Sequence, residues 1–233
     1  MDRRHYLGTI GTLGTAGMAG CLDSVPFVGG DTALGEPEQP RGDPIHSIHG
    51  EEFPEFELPD PHADTTVTSE DLRGTPFVMT FIYTSCVEQC GTLMQLLRMI
   101  QVDAAEQGYA DNINLLAITF DPDTDTPDVL REYGEAFDMD FDAGNFRFLR
   151  PETADGAIEV VNEHFGVPAE MHDDHDHDHG DDEGEERGPG VHYYMFFLVN
   201  GEGITERSYP NVVGGREDTR PNAILENVRT VAN

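Results

Sequence analysis

The stretch Thr80–Leu97, TFIYTSCVEQCGTLMQLL, decides how the rest of the chain is organised. Its first part continues an apolar run from Pro76 to Tyr83, whose length and β-rich composition predict a buried strand. After a short polar turn, leucines and Ile100 recur at helical spacing, which predicts a helix. A buried strand that leads into a helix in this way is typical of an α/β domain.

Cys86 and Cys90 lie in the turn between this strand and this helix. Residues four positions apart share one face of a helix, so we expect both sulfur atoms to point the same way. The partial positive charge at a helix N-terminus favours thiolate over thiol. Two thiolates on one face either bind a soft metal ion or close to a disulfide. A pair of buried structural cysteines is the simpler alternative, and the turn by itself does not decide among the three.

The other periodic segments complete an α/β domain with a mixed sheet. Phe53–Leu58 and Thr65–Thr68 predict an early hairpin, and Ile113–Phe120 predicts another buried strand. Thr126 and Pro127 begin a further helix as its N-cap and first residue. The remaining predicted elements are a strand over Asn145–Leu149, a helix over Pro151–Phe165, a strand over Val191–Val199, a turn at Asn200–Gly201, its partner strand over Ile204–Tyr209 and a closing helix over Arg220–Val231. This order predicts a central mixed sheet flanked by helices, with an extra N-terminal hairpin.

The chain is strongly acidic. It has 46 Asp and Glu residues against 13 basic residues, all of them Arg, and a net charge of −33. Such a surface repels nucleic acid at ordinary ionic strength, so nucleic acid is not an expected partner. In molar salt the screening length falls to about 3 Å and the repulsion largely vanishes. We interpret the charge as a halophilic adaptation, because the periodic apolar segments argue against an acidic disordered chain.

The first 21 residues, MDRRHYLGTIGTLGTAGMAGC, have the pattern of an export signal. A pair of arginines, typical of twin-arginine export, precedes an apolar stretch that is too short to span a membrane. The small residues directly before Cys21 resemble the lipobox of exported lipoproteins, whose cysteine carries the lipid. We therefore predict a signal peptide over 1–21, a flexible tether over 22–50 and a domain over 51–233. The domain is expected on the outer face of the cell membrane, held by a lipid on Cys21.

A low-complexity insertion interrupts the domain at about residues 169–190. It contains a run of histidines interspersed with Asp and Glu: His172, His175, His177 and His179. Imidazole and carboxylate at alternate positions suit Cu(II), Zn(II) or Ni(II), weakly and with little defined geometry. The insertion is either an auxiliary metal-gathering loop or a solvated segment of a salt-adapted surface.

His192 follows this insertion and starts the strongly apolar strand predicted over Val191–Val199. In an α/β sheet the ends of strands meet near a turn such as the one that carries the cysteines. A lone histidine beside apolar residues is nevertheless more often a satisfied core residue than a metal ligand. Its position alone leaves both interpretations open.

Three segments, in this order, resemble the Sco/SenC family, thioredoxin-fold copper proteins that help assemble the binuclear copper centre of cytochrome oxidase. TFIYTSCVEQC, at 80–90, resembles the family's strand that ends in Cys-Pro-x-x-Cys-Pro. TFDPDTDTPDVLREY, at 119–133, is similar to the family's Asp-Pro-x-x-Asp-Thr-Pro helix opening. HYYMFFLVNGEG, at 192–203, is placed like the family's His-initiated strand and hairpin. The resemblance covers roughly Phe53 to Ala232.

The resemblance implies a thioredoxin-like fold and a copper site. Cys86 and Cys90 are then the thiolate ligands and His192 the imidazole ligand. This donor set suits Cu(I) and, with an added ligand, can also hold Cu(II). Asp121 is expected near the site, where it either orients a ligand or a partner or is only a turn residue before a proline.

Two functions of different classes follow from these interpretations. The first is a membrane-anchored copper-binding metallochaperone that assists assembly of the cytochrome c oxidase copper centre. Its partner is the copper-bearing subunit of the oxidase or another copper protein. The second is an enzyme, a thiol–disulfide oxidoreductase that reduces partner cysteines through Cys86 and Cys90. A peroxidase is disfavoured because its usual Pro-x-x-x-Thr-x-x-Cys motif is absent, with Tyr83 three residues before Cys86.

Overall fold

The computed structural model describes residues 30–38, 44–86, 89–171, 189–192, 194–212 and 217–233. Cys21 and the histidines of the acidic insertion lie outside these residues. In the described part of the chain, no helix is long and apolar enough to cross a membrane.

The elements follow the predicted order. The strands are β1 Glu57–Asp60, β2 Thr65–Thr68, β3 Phe77–Ile82, β4 Asn114–Thr119, β5 Phe146–Leu149, β6 Ala169–Met171, β7 Pro189–His192, β8 Phe196–Val199 and β9 Thr205–Tyr209. The helices are α1 Gln89–Gln107, α2 Pro127–Ala136, α3 Ala154–Glu159, which continues as a π-helical turn Val160–His164, and α4 Pro221–Ala232.

Five of these strands form the central sheet, in the order β5-β4-β3-β8-β9. Strands β3, β4 and β5 are parallel, whereas β8 runs antiparallel to β3 and β9 antiparallel to β8. Every residue of β3 is buried, as expected for a strand that is covered on both faces. The prediction of a central mixed sheet is therefore confirmed.

The two faces of β3 contribute to two separate cores. Val78 and Ile82 point into a core that contains the buried faces of α1 and α4. Met79 and Phe81, on the alternate positions, point into a second core with the N-terminal hairpin and Phe165. The sheet is thus packed on both faces, and the residues of β3 that lead toward α1 are buried.

The first predicted hairpin strand is displaced along the sequence. The structure pairs β1 with β2, so the hairpin itself is confirmed, but β1 begins at Glu57 and not at Phe53. Phe53 and Phe56 are buried in the second core before the strand begins, where their rings contact Phe77. Phe53 and Phe56 are thus apolar because they pack in the core, although they do not belong to a strand.

The apolar run Val191–Val199, predicted as one strand, is two strands. Strand β7 pairs with β6, whereas β8 pairs with β3 in the central sheet. His192 therefore ends β7 and does not start the strand that follows. Apolar composition could not reveal this break, because it does not show which neighbour a strand pairs with.

Part of the predicted tether is held against the domain. The backbone N–H groups of Ala33 and Leu34 donate to the buried carboxylate of Glu206 at 2.7 and 2.9 Å. Gly50 donates its N–H to the carbonyl oxygen of Thr205 at 2.9 Å, which pairs a backbone group of the edge strand β9. Ala33, Leu34 and Gly50 were predicted to belong to the flexible tether over 22–50. Their hydrogen bonds show that these residues are held against the domain.

Candidate functional site

Cys86 and Cys90 lie where β3 leads into α1. The helix begins at Gln89, so Cys90 is in its first turn, while Cys86 precedes the helix. The backbone N–H of Cys86 donates to the carbonyl oxygen of Tyr83 at 3.2 Å. The prediction that both cysteines share one helix face is therefore wrong for Cys86. Their sulfur atoms still meet, because the N–H of Cys90 donates to Sγ of Cys86 at 3.4 Å. The sulfur of Cys86 thus pairs with one of the N–H groups that a helix start leaves without an internal partner.

The two thiols are not joined by a disulfide, and their side chains hydrogen-bond to each other. Cys90 is completely buried, whereas Cys86 is half-buried. The hydrogen bond with Cys86, followed by burial, raises the pKa of the Cys90 thiol far above its usual range. The expectation that the helix start favours a thiolate is therefore wrong for Cys90, because the pKa of its thiol is raised and not lowered.

Tyr83 completes the surroundings of Cys86. Its hydroxyl hydrogen-bonds the side chain of Cys86, and its ring packs edge-on against Phe120 at a centroid distance of 5.1 Å. Burial, followed by the charge of Cys86, raises the pKa of Tyr83. The sulfur of Cys86 is therefore the point on which the N–H and thiol of Cys90 and the hydroxyl of Tyr83 converge.

Asp125 forms hydrogen bonds with the cysteine-bearing turn. Its carboxyl is completely buried, and it accepts the N–H of Thr84 at 3.1 Å and the hydroxyl groups of Thr84 and Thr119. Burial raises the pKa of this carboxyl. Because Thr84 lies two residues before Cys86, Asp125 connects the turn to the end of β4. Sequence reasoning missed this residue, although it is the third acidic residue of the quoted segment TFDPDTDTPDVLREY.

Asp121, the acid that was predicted near the site, is 4% exposed and bonds within its own loop. Its N–H donates to the hydroxyl of Thr119 at 3.1 Å, and its carboxylate accepts the N–H of Thr124 at 3.4 Å. Its carbonyl oxygen accepts the N–H of Asp125 at 2.8 Å. These contacts show how Asp121 shapes the loop, and its action on a ligand or a partner stays a prediction.

For His192 the structure describes the backbone alone. The chain that follows it lies beside the end of β3, where the hydroxyl of Thr80 donates to the carbonyl oxygen of Met195 at 2.8 Å. The charge of Tyr194 is the smallest of the effects that raise the pKa of Tyr83. Two residues span at most about 7 Å, so the backbone of His192 lies within that distance of Tyr194.

The described donors at this site are the two sulfur atoms. Among the side chains that the structure describes, which exclude that of His192, no three His, Cys, Asp or Glu residues are placed to hold a metal ion. Two sulfur donors in contact suit a soft ion such as Cu(I), and they are equally able to form a disulfide. The role of His192 as a third ligand stays a prediction.

A mixed sheet covered on both faces, with a thiol pair between β3 and α1, defines a thioredoxin-like protein. The SCO1/SenC family model matches residues 48–232 of the chain. The chain belongs to the SCO1/SenC family, as the three quoted segments predicted.

A curated relative matches over a shorter stretch. An SCO2-like protein of Rickettsia typhi is 37% identical over 86 residues, which make up 37% of this chain and 41% of that protein. The match therefore spans less than half the length of that relative.

Solved structures match over most of the chain. A SCO1/SenC family lipoprotein from Bacillus anthracis has a TM-score of 0.60 at 18% identity, covering 82% of this chain and 99% of that one. BsSco, a member of the Sco family of cytochrome c oxidase assembly proteins in which a disulfide switch was identified, has a TM-score of 0.57 at 20% identity, covering 82% and 96%. Yeast Sco1 with copper bound has a TM-score of 0.56 at 22% identity, covering 78% and 89%. These structures share the thioredoxin-like fold of this chain.

Proposed function

We propose that this chain is a membrane-anchored copper-binding metallochaperone that assists assembly of the cytochrome c oxidase copper centre. The observation that carries the proposal is the contact between the unbridged thiols of Cys86 and Cys90 at the start of α1, in a chain of the SCO1/SenC family. Soft thiolate donors select Cu(I). The copper held by yeast Sco1 and the place of BsSco among cytochrome c oxidase assembly proteins support it.

In this proposal copper is cargo, held by Cys86, Cys90 and His192. Both thiols must release their protons when they bind a metal ion, so uptake depends on pH. Cys90 is buried and Cys86 is half-exposed. Copper therefore enters and leaves by ligand exchange at Cys86, while Cys90 retains it. A partner's ligand can approach only the sulfur that is open to solvent.

The proposed partner is the copper-bearing subunit of the oxidase or another copper protein on the outer face of the membrane. A lipid on Cys21 would hold the domain there, and the family lipoprotein from Bacillus anthracis supports such an anchor. The nine residue steps from Cys21 to Gly30 span at most about 30 Å when fully extended. Because the segment that follows Gly30 is bonded to Glu206, that edge of the domain would stay within this distance of the membrane surface.

Metal analysis of the full chain with reduced thiols tests the proposal. We expect about one tightly held Cu(I) per chain, because the thiol pair offers a single set of soft donors. Cys86→Ser, Cys90→Ser and His192→Ala should lose it. Cys21→Ser is the matched control, since it removes the third cysteine and should lose membrane attachment but keep the copper. Deletion of residues 172–186 should also keep it. Copper retained in Cys86→Ser would refute the assignment of this site.

The contact between the two thiols also favours a second function, reduction of partner disulfides. Closing Cys86 and Cys90 to a disulfide supplies two electrons and two protons to a partner disulfide. This activity needs both cysteines but not His192. A His192→Ala chain that loses copper and reduces a partner disulfide at the wild-type rate would identify an enzyme. If the same variant loses both properties, the reductase assignment is excluded.

A further inference from the structure

Two buried side-chain oxygens have no hydrogen-bond partner among the described residues, Oγ of Ser85 and the hydroxyl oxygen of Tyr133. Buried polar atoms nearly always have a partner, since an unmade hydrogen bond is unfavourable. Ser85 lies in the cysteine-bearing turn and directly precedes Cys86. Tyr133 lies on α2 and packs against the core cluster that contains Cys90, as Cys86 does. Burial, followed by the charges of Cys90 and Cys86, raises the pKa of Tyr133.

Phe137, the residue that directly follows α2, connects Tyr133 to the start of α1. Its ring is edge-on to Phe137 at a centroid distance of 5.1 Å. The ring of Phe137 in turn lies 3.3 Å from the position that a Cβ atom would take on Gly91, the residue after Cys90. A larger residue at Gly91 would press against this contact. Tyr133, with its buried hydroxyl, therefore belongs to the same core as Cys86 and Cys90.

We propose that the hydroxyl groups of Tyr133 and Ser85 donate hydrogen bonds to the cysteine sulfurs in the metal-loaded chain. The inference rests on the proposed function and deepens it. A neutral thiol sulfur is a weak acceptor, and among the described residues neither hydroxyl has a partner. A metal-bound thiolate carries negative charge and accepts a charge-assisted hydrogen bond.

Metal binding then changes the hydrogen bonding of both hydroxyl groups. When Cu(I) binds, both thiol protons pass to solvent and each sulfur becomes a thiolate ligand. The hydroxyls of Tyr133 and Ser85 then form hydrogen bonds that they do not make with the described residues of the metal-free chain. They stabilise the loaded state relative to the free state, and they act as positioning residues for both sulfurs.

Tyr133→Phe in the full chain tests this with two measurements. We expect the affinity for Cu(I), measured by competition with a Cu(I) chelator, to fall about tenfold, the value of one hydrogen bond to a charged group. The Tm of the reduced, copper-free chain should stay the same or rise by about 2 °C, because the substitution removes a buried hydroxyl without a partner. A residue with only a structural role would not move these two properties in opposite directions.

Tyr109→Phe is the matched control. The Tyr109 hydroxyl is buried but has a partner, since it donates to Oδ2 of Asp103 at 2.5 Å. We expect this variant to lower Tm and to leave the affinity for Cu(I) unchanged. The inference is overturned if Tyr133→Phe keeps wild-type affinity, or if it lowers Tm as Tyr109→Phe does. Failure of the proposed function is distinguishable, because the wild-type chain itself then takes up no Cu(I).

Discussion

The two ends of the central sheet differ in how their buried polar groups are paired. At the end of the β8–β9 hairpin, the carboxylate of Glu206 is completely buried. It accepts the N–H groups of Ala33 and Leu34 and, at 2.8 Å, the side-chain amide of Asn200. Each oxygen of this acid has a donor, so its burial is compensated.

At the opposite end the pairing is incomplete. Val199, which leads into that hairpin, pairs with Phe77 at the start of β3, whereas the cysteine-bearing turn follows the end of β3. Five residue steps of about 3.3 Å separate these ends by about 17 Å. Among the described residues, the hydroxyls of Ser85, in the cysteine-bearing turn, and of Tyr133, on α2, have no hydrogen-bond partner. Burial raises the pKa of Asp125, which bonds to the same turn.

The difference indicates that one end of the sheet stabilises the fold and that the other end would bind the proposed metal ion. The Glu206 end contributes to the stability of the folded chain, because its polar groups are satisfied as the chain stands. The cysteine end carries polar groups whose pairing is unfinished, which is typical of a site that receives a further group. Variants at the first end should therefore change stability, and variants at the second should change metal binding.

The largest effect on stability is expected for Glu206→Ala. The substitution leaves the N–H groups of Ala33 and Leu34 without their acceptor, and we expect the free energy of unfolding to fall by about 3 kcal/mol. Urea unfolding in molar salt measures it. Glu206→Gln, which keeps the shape and one acceptor, should lose less. The affinity for Cu(I) should not change in either variant, and a loss of affinity would break the comparison.

An intermediate effect is expected for Asp125→Asn. The amide keeps one acceptor for the three donors from Thr84 and Thr119, so we expect a loss of about 1–2 kcal/mol. Because Thr84 is held two residues before Cys86, the affinity for Cu(I) should fall as well. Asp125 would thus couple the stability of the turn to metal binding. Unchanged affinity would assign Asp125 to the fold alone.

The pH dependence of the same variant sharpens this result. Burial raises the pKa of Asp125 above its ordinary value of 3.8, so the folded chain binds this proton more tightly than the unfolded chain. The resulting stabilisation is complete below about pH 3.8 and is lost as pH rises through the raised pKa. The stability of the wild type relative to Asp125→Asn should fall over that window. Parallel stability curves from urea unfolding would contradict the raised pKa.

The smallest effect is expected for Ser85→Ala. The hydroxyl has no partner in the described structure, so its removal should leave Tm unchanged and should lower the affinity for Cu(I) about threefold. Ser47→Ala is the control, because the Ser47 hydroxyl is buried and bonded to that of Thr205 at the other end of the sheet. It should lower Tm and leave the affinity for Cu(I) unchanged. The reverse pattern would invert the roles of the two ends.

Much of the fold could be predicted because its signals are local. The run around β3 is apolar at every position, and α2 begins as Thr126 and Pro127 indicate, with the Thr126 hydroxyl accepting the N–H of Val129 at 3.4 Å. The spacing of Cys86 and Cys90 also identified the thiol pair. The predictions that failed concerned which elements pair with each other, such as the single strand predicted over Val191–Val199.

The sequence by itself determined the family, the order of the elements and the two cysteines that meet, since periodicity, caps and motifs are written into consecutive residues. Only the tertiary structure decided that Cys86 precedes the helix, that Glu206 holds the N-terminal segment and that Asp125 bonds to Thr84 in the cysteine-bearing turn. These contacts join residues that are distant along the chain. Their burial and hydrogen bonding arise when the sheet and helices pack, and no spacing within one segment encodes them.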